Sequence, residues 1–253
     1  MMSKVMVIGG GAAGMFAALS AAQAGHTVTI FEKNEKLGKK IYITGKGRCN
    51  LTNACDTDDI FSNIPRNAKF LYSAIYTYDN FRVIDFFERN GMPTKTERGN
   101  RVFPVSDHSS DVIAALQRAL EKAGVQIYFH AKVKEILSKD GKIIGLTTEN
   151  GEKYYADAII LATGGKSYPT TGSTGDGYTF AEKLGHTIEP LSPALVPLTV
   201  NEAYCMQMQG LSLKNVKAEI RDGKRVLYDE FGEMLFTHFG VSGPLILSAS
   251  SVV

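Results

Sequence analysis

The stretch Val5-Met6-Val7-Ile8-Gly9-Gly10-Gly11-Ala12-Ala13-Gly14 decides the fold of this chain. Its first residues are apolar and predict a buried strand, and glycines then fall at the first, third and sixth positions of a turn that leads into a helix. Gly9 allows a tight turn, Gly11 lets the backbone touch a pyrophosphate, and Gly14 lets the helix pack close to the strand. Because the N–H groups at the start of a helix attract phosphates, the stretch predicts a dinucleotide-binding turn.

A second strand and an acidic residue support this interpretation. Ala12–Ala24 predicts the helix, and Thr27-Val28-Thr29-Ile30-Phe31-Glu32 predicts the strand that follows it. The Glu32 carboxylate can accept hydrogen bonds from the hydroxyl groups of a ribose. A strand, glycine turn, helix, strand and acid in this order predict a Rossmann-type βαβ unit in an α/β protein.

The bulk composition excludes several classes of protein. The chain has 253 residues, 44% of them hydrophobic, with a formal net charge of +2, which suits one large globular domain or two smaller ones. We expect no nucleic-acid partner, no membrane span and a cytoplasmic location, because the charges are mixed and no signal peptide is evident. Cys49, Cys55 and Cys205 are too sparse for a disulfide framework and lack the spacing of a metal site, so we expect no metal.

A basic run and a glycine-rich loop follow Glu32. The basic residues form a solvated face, or one or two of them neutralise a diphosphate; they are Lys33, Lys36, Lys39, Lys40, Lys46 and Arg48. The loop Thr44–Asn53 lacks the spacing of a nucleotide P-loop. Its backbone N–H groups and amide side chains suit a polar, planar ring system, and Cys49 within it is interpreted as a small packing residue more readily than as a redox group.

The middle of the chain predicts helices followed by a small antiparallel meander. We expect two helical pieces over residues 56–92 with their aromatic residues in the core, and a helix capped by Ser109 or Ser110 that runs to Ala123. Turns at Asp140-Gly141 and Asn150-Gly151 predict hairpins between short strands. Ala158–Ala162 is wholly apolar and predicts a buried parallel strand.

The end of the chain predicts a second domain. Prolines between residues 190 and 198 indicate a domain crossing, and we place the domains at residues 1–192 and 193–253. Lys217–Ile220 and Arg225–Tyr228 predict strands joined at Asp222-Gly223, and Gly243-Pro244 predicts the start of a helix. The second domain is therefore expected to be rich in β-structure.

Five stretches resemble the BaiN/YhiN-type (HI0933-like) family of FAD-binding oxidoreductases. They are the glycine turn with Glu32, Gly45-Lys46-Gly47-Arg48-Cys49-Asn50-Leu51-Thr52-Asn53, the run from Ala162-Thr163-Gly164-Gly165 to Thr174-Gly175-Asp176-Gly177, Leu195-Val196-Pro197-Leu198, and Phe236-Thr237-His238-Phe239-Gly240-Val241-Ser242-Gly243-Pro244. The resemblance covers essentially the whole chain. It implies a Rossmann-type, glutathione-reductase-like FAD domain with an inserted β-rich domain.

The resemblance also implies which residues bind FAD. Those expected to hold the ADP half are Gly9, Gly11, Ala12, Ala13, Gly14 and Glu32, with Val133 meeting the adenine through its backbone. Those expected along the flavin side are Gly47, Arg48, Cys49 and Asn50. The set is completed by Thr163, Gly164 and Gly165 at the end of the last apolar strand and by Lys33 and Lys40 in the basic run.

Members of this family are longer than 253 residues. They return to the FAD domain with a strand and a helix whose amino end points at the flavin and would stabilise its anionic reduced form. We find no such segment in this sequence. We therefore expect a fragment or truncated product with an incomplete second domain, an intact ADP end of the pocket and a flavin end that lacks a wall.

The sequence leaves three functions open. The first is an FAD-dependent oxidoreductase that transfers hydride between NAD(P)H and a small organic substrate of alkene or carbonyl type. The second is a dehydrogenase that binds NAD directly, which Glu32 would favour over NADP because an acid repels a 2′-phosphate. The third is a dinucleotide-binding module without turnover. No catalytic residue is predicted, because the histidines His26, His108, His130, His186 and His238 are scattered without partners.

Overall fold

The computed structural model describes residues 2–253, which divide into two compact units. Unit 1 runs to Ile60 and resumes over Phe70–Ile188, and unit 2 consists of Phe61–Lys69 and Glu189–Val253. The sequence places the division between residues 192 and 193, and the structure has it between Ile188 and Glu189. The functions assigned to the two domains stay predictions.

The elements up to residue 188 are, in chain order, β1 (Lys4–Ile8), α1 (Ala12–Gln23), β2 (Thr27–Phe31), α2 (Lys39–Ile43), β3 (Thr52–Asn53), α3 (Thr57–Ser62), α4 (Tyr72–Thr77), α5 (Asn80–Arg89), β4 (Thr94–Glu97), β5 (Arg101–Pro104), α6 (Ser109–Lys122), β6 (Gln126–Tyr128), β7 (Val133–Lys139), β8 (Lys142–Thr148), β9 (Lys153–Tyr155), β10 (Ala158–Leu161) and α7 (Asp176–Lys183). Single 3₁₀ turns occupy Thr44–Gly47, Ala68–Leu71 and Pro169–Thr171. No helix among residues 2–253 has the length and apolar character needed to cross a bilayer.

A parallel sheet with the strand order β10-β1-β2-β6 forms the centre of unit 1 and confirms the predicted α/β Rossmann-type fold. Val5–Ile8 of strand β1 are buried on both faces, as their unbroken apolar run predicts, because Val5 and Val7 pack in the core with α1 and α6 while Met6 and Ile8 pack with the meander. Helices α1 and α6 pack against this sheet through a core that includes Val7, Met15 and Leu116. The carboxyl ends of β1, β2 and β10 therefore lie at one edge of the sheet.

The antiparallel meander is also confirmed. Strands β7, β8 and β9 form a three-stranded sheet with hairpin turns at Asp140-Gly141 and Asn150-Gly151. Asp140 and Gly141 have φ angles of 51° and 72°, the left-handed conformation that a two-residue hairpin turn requires. Leu146 of β8 is fully buried and packs with Phe31, so the meander shares a core with the end of β2.

The helical segment over residues 56–92 differs from the prediction. It contains three α-helices, α3, α4 and α5, in place of two pieces. The Asp79 side chain accepts a hydrogen bond from the Arg82 N–H at 2.8 Å and separates α5 from α4. The aromatic residues divide accordingly. Phe87 lies in the core, whereas Phe70 is 86% exposed and Phe81 is 47% exposed, so the expectation that these aromatic residues are core residues is wrong for two of them.

The predicted serine cap of α6 is also wrong. His108 occupies the N-cap position, and Ser109 is the first helical residue. Ser109 is buried, and its hydroxyl donates to the Tyr42 carbonyl oxygen at 3.3 Å. A buried hydroxyl needs an acceptor, and the neighbouring carbonyl of Tyr42 supplies one that the sequence alone does not reveal.

Strand β10 is parallel, as predicted, but it is only partly buried. It pairs with β1 and is the edge strand of the described sheet. Ala158 and Leu161 are exposed, and the two isoleucines between them are half-buried. An apolar run predicts burial on both faces, and it does not distinguish a central strand from an edge strand.

Unit 2 contains the β-rich structure. Its elements are β11 (Leu198–Thr199), α8 (Tyr204–Gln207), β12 (Ser212–Asp222), β13 (Arg225–Thr237), β14 (Gly240–Ser242) and α9 (Pro244–Ala249). The four strands form an antiparallel sheet in the order β11-β14-β13-β12, and β12 and β13 extend well beyond the strands predicted within them. Leu245 of α9 packs against Gly232 of β13, and the predicted start of this helix at Gly243-Pro244 is confirmed.

Candidate functional site

A cavity of about 620 Å³ lies at the carboxyl edge of the parallel sheet in unit 1. Its lining comes from the residues that follow β1, β2 and β10, from α2, and from the first turn of α7. Ligands of open α/β sheets bind outside the carboxyl ends of the strands, and the volume suits a small organic molecule or a cofactor. The cavity is therefore the candidate site.

The glycine turn brings the start of α1 to this cavity. A Cβ at Gly9 would collide with the Ala162 carbonyl oxygen, and a Cβ at Gly14 would collide with the carbonyl oxygen of Gly9. By contrast, a Cβ at Gly11 would meet no atom within 4 Å, so the backbone here faces open space. No side chain caps the first turn of α1, which also lacks acidic residues. Its free N–H groups and the positive end of its dipole therefore favour a bound anion.

Glu32 lies at the end of β2, where its buried carboxylate accepts three hydrogen bonds. Oε2 accepts from the Gly10 N–H at 2.7 Å, and Oε1 accepts from the backbone N–H and the side-chain amide of Asn34 at 2.8 and 2.6 Å. Two carboxylate oxygens offer about four acceptor positions, so one position is left for a ligand hydroxyl. The acid is therefore oriented by the glycine turn that it faces.

Val133 reaches the cavity because the chain before β7 runs beside the end of β2. The Glu32 N–H donates to the Tyr128 carbonyl oxygen at 2.8 Å, and the Ala131 N–H donates to the Glu32 carbonyl oxygen at 2.9 Å. Ala131, Lys132 and Val133 consequently line the cavity next to the acid. Sequence analysis selects only Val133 of these three, although Ala131 makes the backbone contact with Glu32.

The two lysines of the predicted site have different partners. Lys33 Nζ donates to Asp176 Oδ2 at 2.7 Å and to Thr174 Oγ1 at 2.8 Å. Burial alone would raise the pKa of Asp176, but the hydrogen bonds that its carboxylate accepts from Lys33 and from the Thr174 hydroxyl outweigh it and hold the pKa below its ordinary value. Lys40 Nζ donates to the carbonyl and hydroxyl oxygens of Ser167, both of which are neutral. Lys40 therefore keeps an uncompensated positive charge at the cavity, whereas the charge of Lys33 is already paired.

The end of β10 and the start of α7 close another side of the cavity. The Gly177 N–H donates to Thr163 Oγ1 at 3.1 Å, and Gly164 has a φ of 75°. A Cβ at Gly164 would approach Ser173 Oγ to 2.6 Å. Ser173, Asp176 and Gly177 line the cavity; they belong to the quoted glycine-rich run, but no local pattern marks them individually.

The loop Gly47–Asn50 lies outside the lining of this cavity, although Thr44 just before it is part of the lining. Arg48 Nε donates to Asp107 at 2.7 Å, Arg48 Nη2 donates to Glu97, and the guanidinium carbon lies 4.0 Å from the centre of the Phe103 ring. Cys49 is buried in the core, and burial raises the pKa of its thiol, which disfavours the reactive thiolate.

The sixteen predicted site residues therefore fall into two groups. Those that line the cavity are Gly9, Gly11, Ala12, Ala13, Glu32, Lys33, Lys40, Val133, Thr163 and Gly164. Those outside its lining are Gly14, Gly47, Arg48, Cys49, Asn50 and Gly165. Gly14 lies in α1 against the Gly9 carbonyl oxygen, and its lack of a Cβ allows this close contact. Cofactor binding by both groups stays a prediction.

Comparison with known protein families agrees with the fold. A family described as "HI0933-like protein Rossmann domain" matches residues 3–244. The chain belongs to this family, and the resemblance noted in the sequence is confirmed.

Among curated relatives, a 3-dehydro-bile acid delta(4,6)-reductase of Clostridium scindens is 36% identical over 246 residues, with 96% of this chain and 58% of the relative covered. A ribosomal RNA dihydrouridine synthase of Haemophilus influenzae is 31% identical over 253 residues, with 98% of this chain and 61% of the relative covered. The chain spans about three fifths of the length of these relatives.

Among solved structures, 3-ketosteroid delta1-dehydrogenase from Sterolibacterium denitrificans matches with a TM-score of 0.62 at 14% identity. The match covers 85% of this chain and 62% of the other. At this level of identity, the likeness concerns the fold alone.

Proposed function

We propose that this chain is the FAD-binding part of an oxidoreductase that passes hydride from NAD(P)H to a small organic substrate. The observation that carries the proposal is the cavity, which combines the open backbone at Gly11, the free start of α1 and the oriented carboxylate of Glu32. These features match the phosphates and the ribose of a dinucleotide.

The residues beyond the ADP position favour FAD over NAD as the bound group. The cavity continues past the glycine turn to Lys40 and Thr44 on one side and to Thr163 and Gly164 on the other. FAD would supply the two-electron chemistry, while the chain supplies binding and orientation. Lys40 would offset phosphate charge, Glu32 would hold a ribose hydroxyl, and the first turn of α1 would face the pyrophosphate.

The relatives support the reduction of a carbon–carbon double bond as the reaction type. One is named as a delta(4,6)-reductase and another as a dihydrouridine synthase, and dihydrouridine is the product of saturating the uracil ring. Both names describe the addition of hydride and a proton across a ring double bond. We propose the same reaction class for the protein that contains this chain. The absence of a nucleic-acid partner stays a prediction, since one relative is named for acting on ribosomal RNA.

Equilibrium binding of FAD, NAD and NADPH to the purified chain tests the proposal. We expect FAD to bind most tightly and to give a flavin absorption band that NADH or NADPH bleaches under anaerobic conditions. Gly11→Leu should abolish FAD binding and leave the fold intact, because its side chain would enter open space at an ordinary φ of −80°. Ala24→Leu places the same side chain at the exposed far end of α1 and serves as the matched control.

Three outcomes would contradict the proposal in different ways. Tight binding of NAD by a colourless protein would favour a dehydrogenase that uses the glycine turn directly. Flavin binding without bleaching by either reduced nicotinamide would favour a module without turnover. Undiminished FAD binding in the Gly11 variant would place the cofactor elsewhere.

A further inference from the structure

The loop of residues 44–50 has an unusual backbone. Gly45, Lys46, Gly47 and Cys49 have φ angles of 55°, 58°, 86° and 60°. Two of these residues carry side chains, and a non-glycine residue in the left-handed region costs free energy that the surrounding structure must supply. Something outside the loop therefore holds it in this conformation.

Backbone contacts close the loop on itself. The Arg48 N–H donates to the Gly45 carbonyl oxygen at 3.2 Å, and the Cys49 N–H donates to the Thr44 carbonyl oxygen at 3.1 Å. A Cβ at Gly45 would lie 2.9 Å from the Asn50 nitrogen, so the two ends of the loop almost touch. Thr44 lines the cavity, whereas Cys49 is buried in the core at the other end.

Arg48 connects this loop to the hairpin of β4 and β5 and to the turn after it. Its guanidinium group donates to Glu97 and Asp107 and stacks on Phe103. Lys95 Nζ donates to the other oxygen of Asp107 at 2.6 Å. We call Arg48, Lys95, Glu97 and Asp107 the charge cluster. It contains two positive and two negative charges, so the positive charge of Arg48 is already balanced and is not available to a phosphate.

The pKa shifts within the charge cluster agree with paired charges. The hydrogen bond to Glu97 raises the pKa of Arg48, and the hydrogen bonds from Lys95 and Arg48 lower the pKa of Asp107. All four side chains are about one-third exposed, so solvent weakens each pair. The two-pronged geometry of Arg48 and its stacking on Phe103 give it a fixed orientation that a single surface pair lacks.

We propose that Arg48 is a positioning residue that fixes the 44–50 loop beside the cofactor cavity by binding Glu97 and Asp107, without contacting the cofactor itself. The inference rests on the proposed function, in which the cavity next to Thr44 binds FAD. It assigns Arg48 an indirect role in cofactor binding, whereas the family resemblance implies that Arg48 lies along the flavin. The loop, once fixed, presents Thr44 to the cavity in one conformation.

A double-mutant cycle tests this role. The variants are Arg48→Met, the pair Glu97→Gln with Asp107→Asn, and the combination of all three. Each is measured by hydrogen exchange of the 44–50 amides without cofactor, and by FAD affinity and the shape of the flavin absorption band. Arg89→Met is the matched control, because its Nε also forms an ion pair with an aspartate, Asp85, at 2.7 Å in a more exposed position on α5.

We expect Arg48→Met and the acid pair to accelerate exchange in the loop and to weaken FAD binding by a similar factor, about tenfold, with no further loss on combination. Arg48→Lys should rescue part of the effect, because lysine keeps the charge but loses the planar two-pronged geometry. The Arg89 variant should match the wild type in both measurements.

Two results would overturn the proposal. If Arg48→Met weakens FAD binding while the acid pair leaves it equal or tighter, Arg48 contacts the cofactor directly. If exchange in the loop is unchanged in every variant, Arg48 does not position the loop. The exchange measurement needs no cofactor, so a wild-type chain that fails to bind FAD contradicts the proposed function separately.

Discussion

Replacing Glu32 with glutamine should destabilise unit 1 and weaken cofactor binding together. The carboxylate accepts three buried hydrogen bonds, one from Gly10 and two from Asn34. The glutamine side chain has one oxygen and one NH₂ group. If the oxygen accepts the two hydrogen bonds from Asn34, the NH₂ group must face the Gly10 N–H. Two donors then oppose each other in a buried position, and a buried donor without an acceptor costs about 1–3 kcal/mol.

Relaxation of the neighbouring side chains cannot remove this cost. The Asn34 amide has a second acceptor, the Thr171 carbonyl oxygen at 3.4 Å, which is a long hydrogen bond. The Gly10 N–H has no such alternative in the described part of the chain. We therefore expect a loss of about 2 kcal/mol in the free energy of opening of β1 and β2. We also expect FAD affinity to fall about tenfold, because the ribose acceptor becomes partly a donor.

Native-state hydrogen exchange of the β1 and β2 amides measures this loss within unit 1. Glu35→Gln is the matched control: it makes the same chemical change on an exposed carboxylate that pairs with Lys39 at 3.1 Å. The control should leave exchange in β1 and β2 unchanged. If Glu32→Gln also leaves the exchange unchanged, the assignment of its three hydrogen bonds is wrong.

Two further predictions concern the glycine turn and the charge cluster. Gly14→Ala should destabilise unit 1 and reduce FAD binding together, because the added methyl group would collide with the Gly9 carbonyl oxygen. Urea unfolding followed by circular dichroism measures the stability. Unchanged stability would mean that α1 shifts freely. The pKa of Asp107 is lowered in the folded chain, so the stability it contributes is present above its ordinary pKa of 3.8 and is lost as the pH falls through the lower folded value. Asp107→Asn should therefore differ from the wild type in urea midpoint at pH 6 and approach it below pH 3.8, and a difference that persists at low pH would contradict this assignment.

The sequence predicts those parts of the fold that depend only on residues close together along the chain. The glycine spacing after β1 defines a turn whose requirements are local, and the Asp140-Gly141 turn fixes its hairpin for the same reason. The position of Glu32 beside the glycine turn is predictable because this residue follows the second strand. These features need only the order of residues along a short segment.

Contacts between distant segments could not be predicted in the same way. Arg48 pairs with Glu97 and Asp107, which are 49 and 59 residues away, so the sequence alone leaves its charge open between a solvated face and a diphosphate and does not reveal these partners. Lys33 likewise pairs with Asp176 across 143 residues. A single sequence shows the charges but not which of them are paired after folding.

Periodicity also fails where an element is short or lies at an edge. Phe70 and Phe81 recur at helical spacing, but Phe70 lies in the 3₁₀ turn Ala68–Leu71 and Phe81 lies in the first turn of α5, and both rings are exposed. Leu161 belongs to an apolar run and is nevertheless exposed, because β10 has a described partner strand on one side only. In each case the number of neighbours, which depends on tertiary structure, decides the burial.

The contact between Gly14 and Gly9 has a consequence for how sequences of this kind can diverge. The direction of α1 is set by backbone atoms, whereas its anchoring in the core is set by side chains such as Met15, Ala18 and Leu19. Substitutions among those side chains change the free energy of unfolding without redirecting the positive end of the helix. Stability and the direction in which the start of α1 points can therefore drift independently over evolutionary time, provided that the two glycines are kept.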